Sequence, residues 1–134
     1  MYPQAIWRTK KHLVGSVCRR LFQVVVALAV RSHRKRLLTE DDKLYVALNS
    51  QERRRVDVLG AILRLADGFD RSHCGLVRDV ECRSDGDCLM IYCHGETEPN
   101  QEMAAALKKS NLFTRTFGKN IKIEFCPNNT QMKN

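Results

Sequence analysis

Apolar residues recur at helical spacing near the start of the chain. The spacing predicts a helix over residues 21–36, whose apolar side consists of Leu21, Val24, Val25, Leu28 and Ala29. Its end, Arg31–Arg36, is strongly basic, which suits a helix C-terminus because cations offset the exposed carbonyl groups there. The run of valines is also compatible with a buried strand, since periodicity alone does not exclude one. Residues 1–21 have no clean period and are predicted to form a basic arm with little helix.

Two further helices are predicted before residue 75. Thr39–Asp42 has the pattern of an N-cap followed three residues later by a carboxylate, which predicts a short helix through Leu48. Asn49 or Ser50 then caps a longer helix that runs to about His73. The inner face of that helix is predicted to carry Val56, Leu59, Leu63, Ala66 and Asp70, with Gly60 and Asp67 beside them.

The period changes from helix to strand after residue 76. Val77–Arg83 and Cys88–Cys93 alternate as strands do, and they flank Asp85–Gly86. This pair predicts a hairpin with a type I′ turn, because glycine tolerates the positive φ that such a turn needs. Another helix is predicted over Gln101–Phe117, with Gly118 as its C-cap, and a final strand over Lys119–Phe125.

Together these elements predict an α+β fold. A helical layer over residues 22–75 is followed by a small β-β-α-β unit over residues 76–126. The polar tail, residues 127–134, is predicted to be disordered.

Cysteine spacing and hydropathy bear on the compartment. The six cysteines include no Cys-x-x-Cys pair, the spacing typical of zinc and redox sites, so we expect them to be reduced packing residues. The longest apolar run, Leu21–Val30, is too short to span a bilayer. We therefore expect a cytoplasmic protein that does not enter a membrane.

The net charge of +8 is concentrated at the start of the chain. Nine of the 23 Lys and Arg residues lie in residues 1–36, and none of the 15 Asp and Glu residues does. Such a block suits a polyanion such as nucleic acid, polyphosphate or an acidic lipid surface, or it is a solvated helix face. A nucleic-acid-binding module is disfavoured, because only Tyr2, Trp7 and Phe22 among the aromatic residues lie near the block.

The stretch Leu63–His73 is the richest in polar chemistry. Asp67 and Asp70 are three residues apart on one predicted helix and are therefore neighbours on its surface. A carboxylate on an apolar face needs a partner, and with His33 and His73 the two would be able to hold a divalent cation. The structural alternative is ion pairing with a nearby arginine: Arg64, Arg71 or Arg78.

Four segments resemble a known family. Arg31–Lys35 resembles the Arg-Tyr-His-Arg-Lys stretch of exopolyphosphatases and guanosine pentaphosphate phosphohydrolases, and Leu63–His73 resembles their Leu-Arg-Leu-Ala-Asp-Gly-Leu-Asp-Arg-Ser-His block. Val77–Val80 and Asn111–Lys119 match the family's C-terminal end in order and spacing. The resemblance covers about residues 22–126, and the eleven-residue block is its most specific part.

The resemblance implies an accessory role. In that family two actin-like N-terminal domains hydrolyse phosphoanhydride bonds, and a helical HD-like domain and a small α/β end follow. Residues 22–75 would be the HD-like part and residues 76–126 the small end. Such a region would bind polyphosphate or guanosine pentaphosphate and would associate as a homodimer or with actin-like catalytic domains. An exposed apolar face on the helix over 21–30 would favour this association. The anion contacts would come from Arg31, Arg34, Lys35 and Arg36.

The HD-like relationship also implies a second hypothesis, an HD-type metal-dependent phosphohydrolase. In related HD enzymes a Leu-Ala-Asp segment supplies a metal-binding Asp, which Asp67 matches, and His33 matches one histidine of the preceding doublet. Asp70 would be a further ligand, and the metal would be Mg²⁺ or Mn²⁺. Arg34 stands where these enzymes have the doublet's Asp. The accessory hypothesis, with no catalytic residue in this chain, is therefore preferred.

Overall fold

The computed structural model describes residues 5–34 and 37–128, and for residues 5–18 and Arg34 it describes the backbone alone. Within these ranges helices precede a three-stranded mixed sheet, so the predicted α+β fold is confirmed. The elements are α1 (Ala5–Arg34), α2 (Lys43–Val46), α3 (Ser50–Phe69), β1 (Asp79–Asp85), β2 (Cys88–Gly95), α4 (Asn100–Lys108), α5 (Asn111–Phe117) and β3 (Asn120–Pro127). The predicted disorder of the tail is wrong for its first two residues, because β3 includes Pro127 and the Asn128 N–H donates to the Gly95 carbonyl at 2.8 Å. Residues 129–134 lie outside the described part of the chain.

The first helix is much longer than the sequence predicted. α1 is continuous from Ala5, so the interpretation of residues 5–21 as an arm with little helix is wrong, as is the strand alternative for the valines. Lys, Arg and Leu favour helix, and Gly15 costs it only about 1 kcal/mol relative to alanine. Among the described helices, none has both the length and the apolar character needed to cross a bilayer.

α2 lies in the connection that returns the chain from α1 to α3. The helix begins at Lys43 with Asp42 as its N-cap, later than the predicted cap at Thr39. The carbonyl of Thr39 instead accepts a hydrogen bond from the Asp42 N–H at 2.9 Å, forming a turn before the helix. This connection packs on α1 and α3 in a buried cluster formed by Val25, Leu28, Leu38, Tyr45, Leu48 and Val56.

α3 begins at the predicted cap and ends earlier than predicted. Asn49 Oδ1 accepts from the Glu52 N–H at 2.9 Å, and the Glu52 carboxylate accepts from the Asn49 N–H at 3.0 Å. This reciprocal capping box confirms Asn49 as the cap. The helix ends at Phe69, because the chain turns through Asp70 and reaches a left-handed conformation at His73, where φ is 57°.

The buried face of α3 differs from the predicted one. Leu59 and Leu63, predicted to lie inside, are 38% and 37% exposed, and Ala66 is exposed as well. Val56 is buried, as predicted. The buried residues of this helix are Val56, Gly60, Ala61, Leu65 and Gly68. A Cβ atom added at Gly60 would overlap with Ser32 Oγ on α1. Small residues therefore let neighbouring helices approach α3 closely, and larger apolar residues are left on its outer side.

The sheet has the order β1-β2-β3, with β1 antiparallel and β3 parallel to β2. Asp85 pairs with Cys88, so the two-residue turn is Gly86–Asp87, one position later than predicted. Only Gly86 of these two has a positive φ, 55°, which excludes the predicted type I′ turn. β1 extends from Asp79 to Asp85, so it begins and ends two residues later than predicted.

The predicted helix over Gln101–Phe117 is in fact two helices. The chain turns at Lys109 and Ser110, where the Ser110 hydroxyl donates to the Leu107 carbonyl at 2.7 Å. The predicted C-cap is confirmed at Gly118, which is left-handed with φ 65°. α4 and α5 form the crossover between the parallel strands. They enclose a second buried cluster, formed by Leu65, Ile91, Cys93, Ala106 and Ile121.

Candidate functional site

The end of α1, the end of α4 and the start of α5 meet around the polar residues of α3. The end of α1 approaches through Ser32 at Gly60, and α4 approaches through Ala106 at Gly68, where an added Cβ would overlap with the Ala106 backbone. These contacts bring together a set of polar side chains that we call the polar junction: His33, Arg64, Asp67, Lys109 and Asn111. The close approach at two glycines thus positions the whole set.

Arg64 connects all three helix ends. Its Nη1 donates to the Ser32 carbonyl at 3.0 Å, in the last turn of α1. Its Nε donates to the Lys109 carbonyl at 3.4 Å, and its Nη2 donates to Asn111 Oδ1 at 3.3 Å. Carbonyls near helix C-termini lack intrahelical donors, so a guanidinium satisfies them well. Burial lowers the pKa of Arg64, and the nearby charge of Asp67 acts in the opposite direction.

Asp67 is paired with a residue that sequence analysis did not identify. The ammonium of Lys109 donates to Asp67 Oδ2. This hydrogen bond is the main cause that lowers the pKa of Asp67, although partial desolvation raises it. The structural alternative, an ion pair, is therefore correct for Asp67. The partner of Asp67 is Lys109, however, and not one of the three arginines proposed.

Asp70 has a different partner from Asp67. Its carboxylate pairs with His73 Nδ1 at 3.1 Å, and the two side chains are 59% and 78% exposed. His33 lies near enough to Asp67 for a positive charge on its ring to lower the pKa of that carboxyl group. The buried Nδ1 atom of His33 has no hydrogen-bond partner among the described residues.

The predicted cation ligands do not fit a Mg²⁺ or Mn²⁺ centre. In the described part of the chain, no three His, Cys, Asp or Glu side chains lie close enough to hold a metal ion. The Lys109 ammonium already neutralises Asp67, and Arg64 adds a second positive charge nearby. A divalent cation would have to displace Lys109 and would then lie beside a guanidinium.

The basic residues predicted to bind an anion are only partly described. Arg31 is 63% exposed and pairs with Asp42 at 3.1 Å. It lines a cavity of about 480 Å³ that is also bordered by Asp41 and Lys43, so both signs of charge are present. The side chain of Arg34 lies outside the described residues, as do Lys35 and Arg36 entirely.

An exposed apolar surface extends over α1 and α3. We call it the apolar face, and it consists of Phe22, Val26, Val30, Leu59, Ile62 and Leu63. These side chains are between 37% and 67% exposed. The α1 residues repeat every four positions and form one stripe. On α3, Ile62 and Leu63 follow Leu59 by three and four positions and form a second stripe. The sequence predicted the apolar side of α1 at other positions, of which Val25, Leu28 and Ala29 are buried. It also placed the α3 residues Leu59 and Leu63 in the core.

The local signals could not reveal the polar junction, because Asp67 and Lys109 are 42 residues apart in sequence. Comparison with models of known protein families gives no match to this chain. None of the curated proteins matches it either. The resemblance to the exopolyphosphatase and guanosine pentaphosphate phosphohydrolase family therefore stays a prediction.

Proposed function

We propose that this chain is the accessory C-terminal region of an exopolyphosphatase-like phosphatase. It binds polyphosphate or a phosphorylated nucleotide through its basic helix, and it associates with a second protein surface. The proposal includes a cytoplasmic setting, in keeping with the free thiols of the five cysteines whose side chains are described.

The observation that carries this proposal is that all the charged residues of α1 are basic. The helix is continuous over 30 residues, and its sequence contains Lys and Arg but no Asp or Glu. Arg20 and Arg31 are exposed and lie three helical turns apart, roughly 16 Å along one side of α1. These two guanidinium groups can contact one chain of phosphates, with Arg31 exchanging its partner Asp42 for a phosphate.

Lys109 disfavours the HD-type metal phosphohydrolase as the function. Metal-assisted hydrolysis needs carboxylate oxygens and neutral imidazole nitrogens whose lone pairs are free to bind the cation. Asp67 forms an ion pair with Lys109, and Asp70 pairs with His73 on the exposed surface. The same ion pair instead joins α3 to the end of α4, which is a structural role.

Salt-dependent binding of long-chain polyphosphate tests the proposal. The logarithm of the wild-type binding constant is expected to fall linearly with the logarithm of salt concentration, because each neutralised phosphate releases a counterion. Arg20→Gln/Arg31→Gln is expected to weaken binding several-fold and to lower the salt slope by roughly 1.5. A second variant, Arg34→Gln/Lys35→Gln/Arg36→Gln, examines the remaining predicted anion contacts in the same way.

A matched control separates a specific surface from net charge. Arg78→Gln/Lys122→Gln removes the same two charges from exposed positions beside and on the sheet. The proposal requires this control to bind polyphosphate nearly as the wild type does. Equal losses in the control and the α1 variant, or no binding by the wild type at low salt, would contradict it.

A further inference from the structure

The apolar face lies on two helices that run in the same direction. Ser32, near the end of α1, contacts the α3 residues Gly60 and Arg64. Phe22, nearer the start of α1, lines a groove of about 220 Å³ together with Arg55, one turn before Leu59. The two apolar stripes therefore begin at the same groove and continue side by side along α1 and α3.

The border of the apolar face at this groove is positive. Arg19 precedes Phe22 by three residues and continues its stripe on α1, and Arg55 precedes Leu59 by four residues on α3. Both arginines are exposed, and neither forms an ion pair with an acidic side chain among the described residues. Glu52 also lines the groove, but its carboxylate caps α3 through the Asn49 N–H.

We propose that the apolar face is the docking site for an acidic amphipathic helix of a partner protein. The partner helix lies along the groove between α1 and α3, with its apolar stripe on Val26 and Ile62 and its flanking carboxylates at Arg19 and Arg55. This inference rests on the association included in the proposed function and specifies the chemistry of the partner. Helices that dock in this way present apolar residues at spacings of three and four.

The charge on α1 argues against a second copy of the chain that packs with α1 on α1. A two-fold symmetric dimer through this face has that arrangement when its axis crosses the helices. α1 has no acidic residue, so the basic side chains would face each other without compensation. A helix bearing Glu and Asp on both sides of its apolar stripe avoids this repulsion.

Two designed helical peptides test the proposal with the full chain. Both have about 18 residues and the same leucine stripe, but the flanking positions are Glu in one and Lys in the other. Fluorescence anisotropy is expected to show binding of the Glu peptide and at least about tenfold weaker binding of the Lys peptide. Val26→Ser/Ile62→Ser is expected to weaken binding of the Glu peptide at least about tenfold.

Leu44→Ser/Val46→Ser is the matched control, because both residues are exposed apolar residues of α2 outside the apolar face. It is expected to bind the Glu peptide as the wild type does. Equal binding of both peptides, or no binding of the Glu peptide, would overturn the proposal. A dimer in light scattering that Val26→Ser/Ile62→Ser dissociates would also overturn it, by identifying a second copy as the occupant.

Polyphosphate binding, measured on the same samples, separates this inference from the proposed function. Val26→Ser/Ile62→Ser removes no charge and is expected to bind polyphosphate normally. If polyphosphate binds in a salt-dependent way and the Glu peptide does not, the docking inference alone fails. If the Glu peptide binds and polyphosphate does not, anion binding by α1 fails and the docking site stands.

Discussion

The ammonium of Lys109 pairs with the carboxylate of Asp67, and this ion pair joins the end of α4 to the middle helix of the fold. The carboxylate lies within the segment that most resembles the exopolyphosphatase family. Its partner comes from the turn that divides α4 from α5. The residue with the strongest sequence signal for metal chemistry therefore has a structural partner, and several measurable consequences follow for stability.

Replacing either member of this pair is expected to destabilise the fold modestly. Asp67 and Lys109 are 39% and 29% exposed, so solvent screens their attraction. Asp67→Asn and Lys109→Met are each expected to lower the free energy of unfolding by about 1 kcal/mol, with a coupling energy of about 0.5–1 kcal/mol. Urea denaturation of the two single variants and the double variant measures this coupling.

Asp70→Asn is the control for the ion pair, because Asp70 is 59% exposed and pairs only with an exposed histidine among the described residues. Its effect is expected to stay within about 0.5 kcal/mol. A coupling energy near zero between Asp67 and Lys109, with Asp70→Asn as costly as Asp67→Asn, would show that the pair does not join the helices.

Glu102 is expected to make the fold sensitive to acid. Its side chain is 2% exposed and accepts hydrogen bonds from the Ser72 hydroxyl and from the Ser72 N–H at 3.3 Å. The bond from the hydroxyl is the main cause that lowers the pKa of Glu102 below its ordinary 4.5. A lowered pKa adds stability that is complete above 4.5 and is lost as the pH falls through the folded-state value.

Glu102→Gln removes this charge and is expected to cost about 1–2 kcal/mol at pH 7, because Ser72 loses a charged acceptor. The variant should lose less stability than the wild type as the pH falls below 4.5, because only the wild type has this carboxylate to protonate. Chemical denaturation across this pH range provides the comparison. An unchanged acid slope in the variant would assign the acid sensitivity to other carboxylates.

Tyr45 is expected to resist ionisation. Its hydroxyl donates to both Asp57 carboxylate oxygens, at 3.0 and 2.9 Å. Burial, followed by the hydrogen bond to Asp57, raises the pKa of Tyr45 to about 12. Ultraviolet titration should therefore show one tyrosine ionising near pH 12, and Tyr45→Phe should remove that step.

The raised pKa of Tyr45 also predicts that the fold loses stability at alkaline pH. Its contribution is complete below the ordinary value of 10 and is lost as the pH rises from 10 towards 12. Tyr45→Phe is expected to cost about 1 kcal/mol at pH 7 through the lost hydrogen bond. If all the tyrosines ionise together near pH 10, the contact between Tyr45 and Asp57 is absent in solution.

Gly60 and Gly68 are expected to differ in how their replacement can be rescued. Gly60→Ala would bring the new Cβ into Ser32 Oγ, and Gly68→Ala would bring it into the backbone at Ala106. Each is expected to cost about 1–3 kcal/mol, despite the better helix propensity of alanine. Thermal denaturation should show that Ser32→Ala restores much of the loss in Gly60→Ala.

No side-chain change at Ala106 can relieve the Gly68→Ala overlap, because the atoms in the way belong to the backbone. Ser32→Ala is therefore the mismatched control for Gly68→Ala and should not restore its stability. If Ser32→Ala fails to relieve Gly60→Ala, the close approach of α1 and α3 at this position is incorrect.

Elements with local causes were predictable from the sequence. The cap of α3 depends on Asn49 and Glu52, three residues apart, and the helix stop at Gly118 depends on one residue's conformational freedom. The alternation predicted for Cys88–Cys93 is present in β2, where Ile91 and Cys93 are buried and Tyr92 between them is partly exposed. In each case the pattern and its physical cause lie within a few residues of one another.

Features that depend on distant neighbours were not predictable. Gly60 lies inside because Ser32 of another helix approaches it, and no periodicity of large apolar residues signals that contact. Asp67 has its partner at Lys109, in a turn where the sequence indicated an unbroken helix. The α3 part of the apolar face was missed for the same reason, because the apolar periodicity alone assigned Leu59 to the core.

Phosphate release from long-chain polyphosphate and guanosine pentaphosphate, with Mg²⁺ or Mn²⁺, tests the central claim most directly. The wild-type chain is compared with Asp67→Ala, and polyphosphate binding is measured on the same samples. The accessory function predicts no release above the protein-free rate in either protein, together with salt-dependent binding in both. Metal-dependent release by the wild type that Asp67→Ala abolishes would contradict the account and would identify an HD-type active site at Asp67.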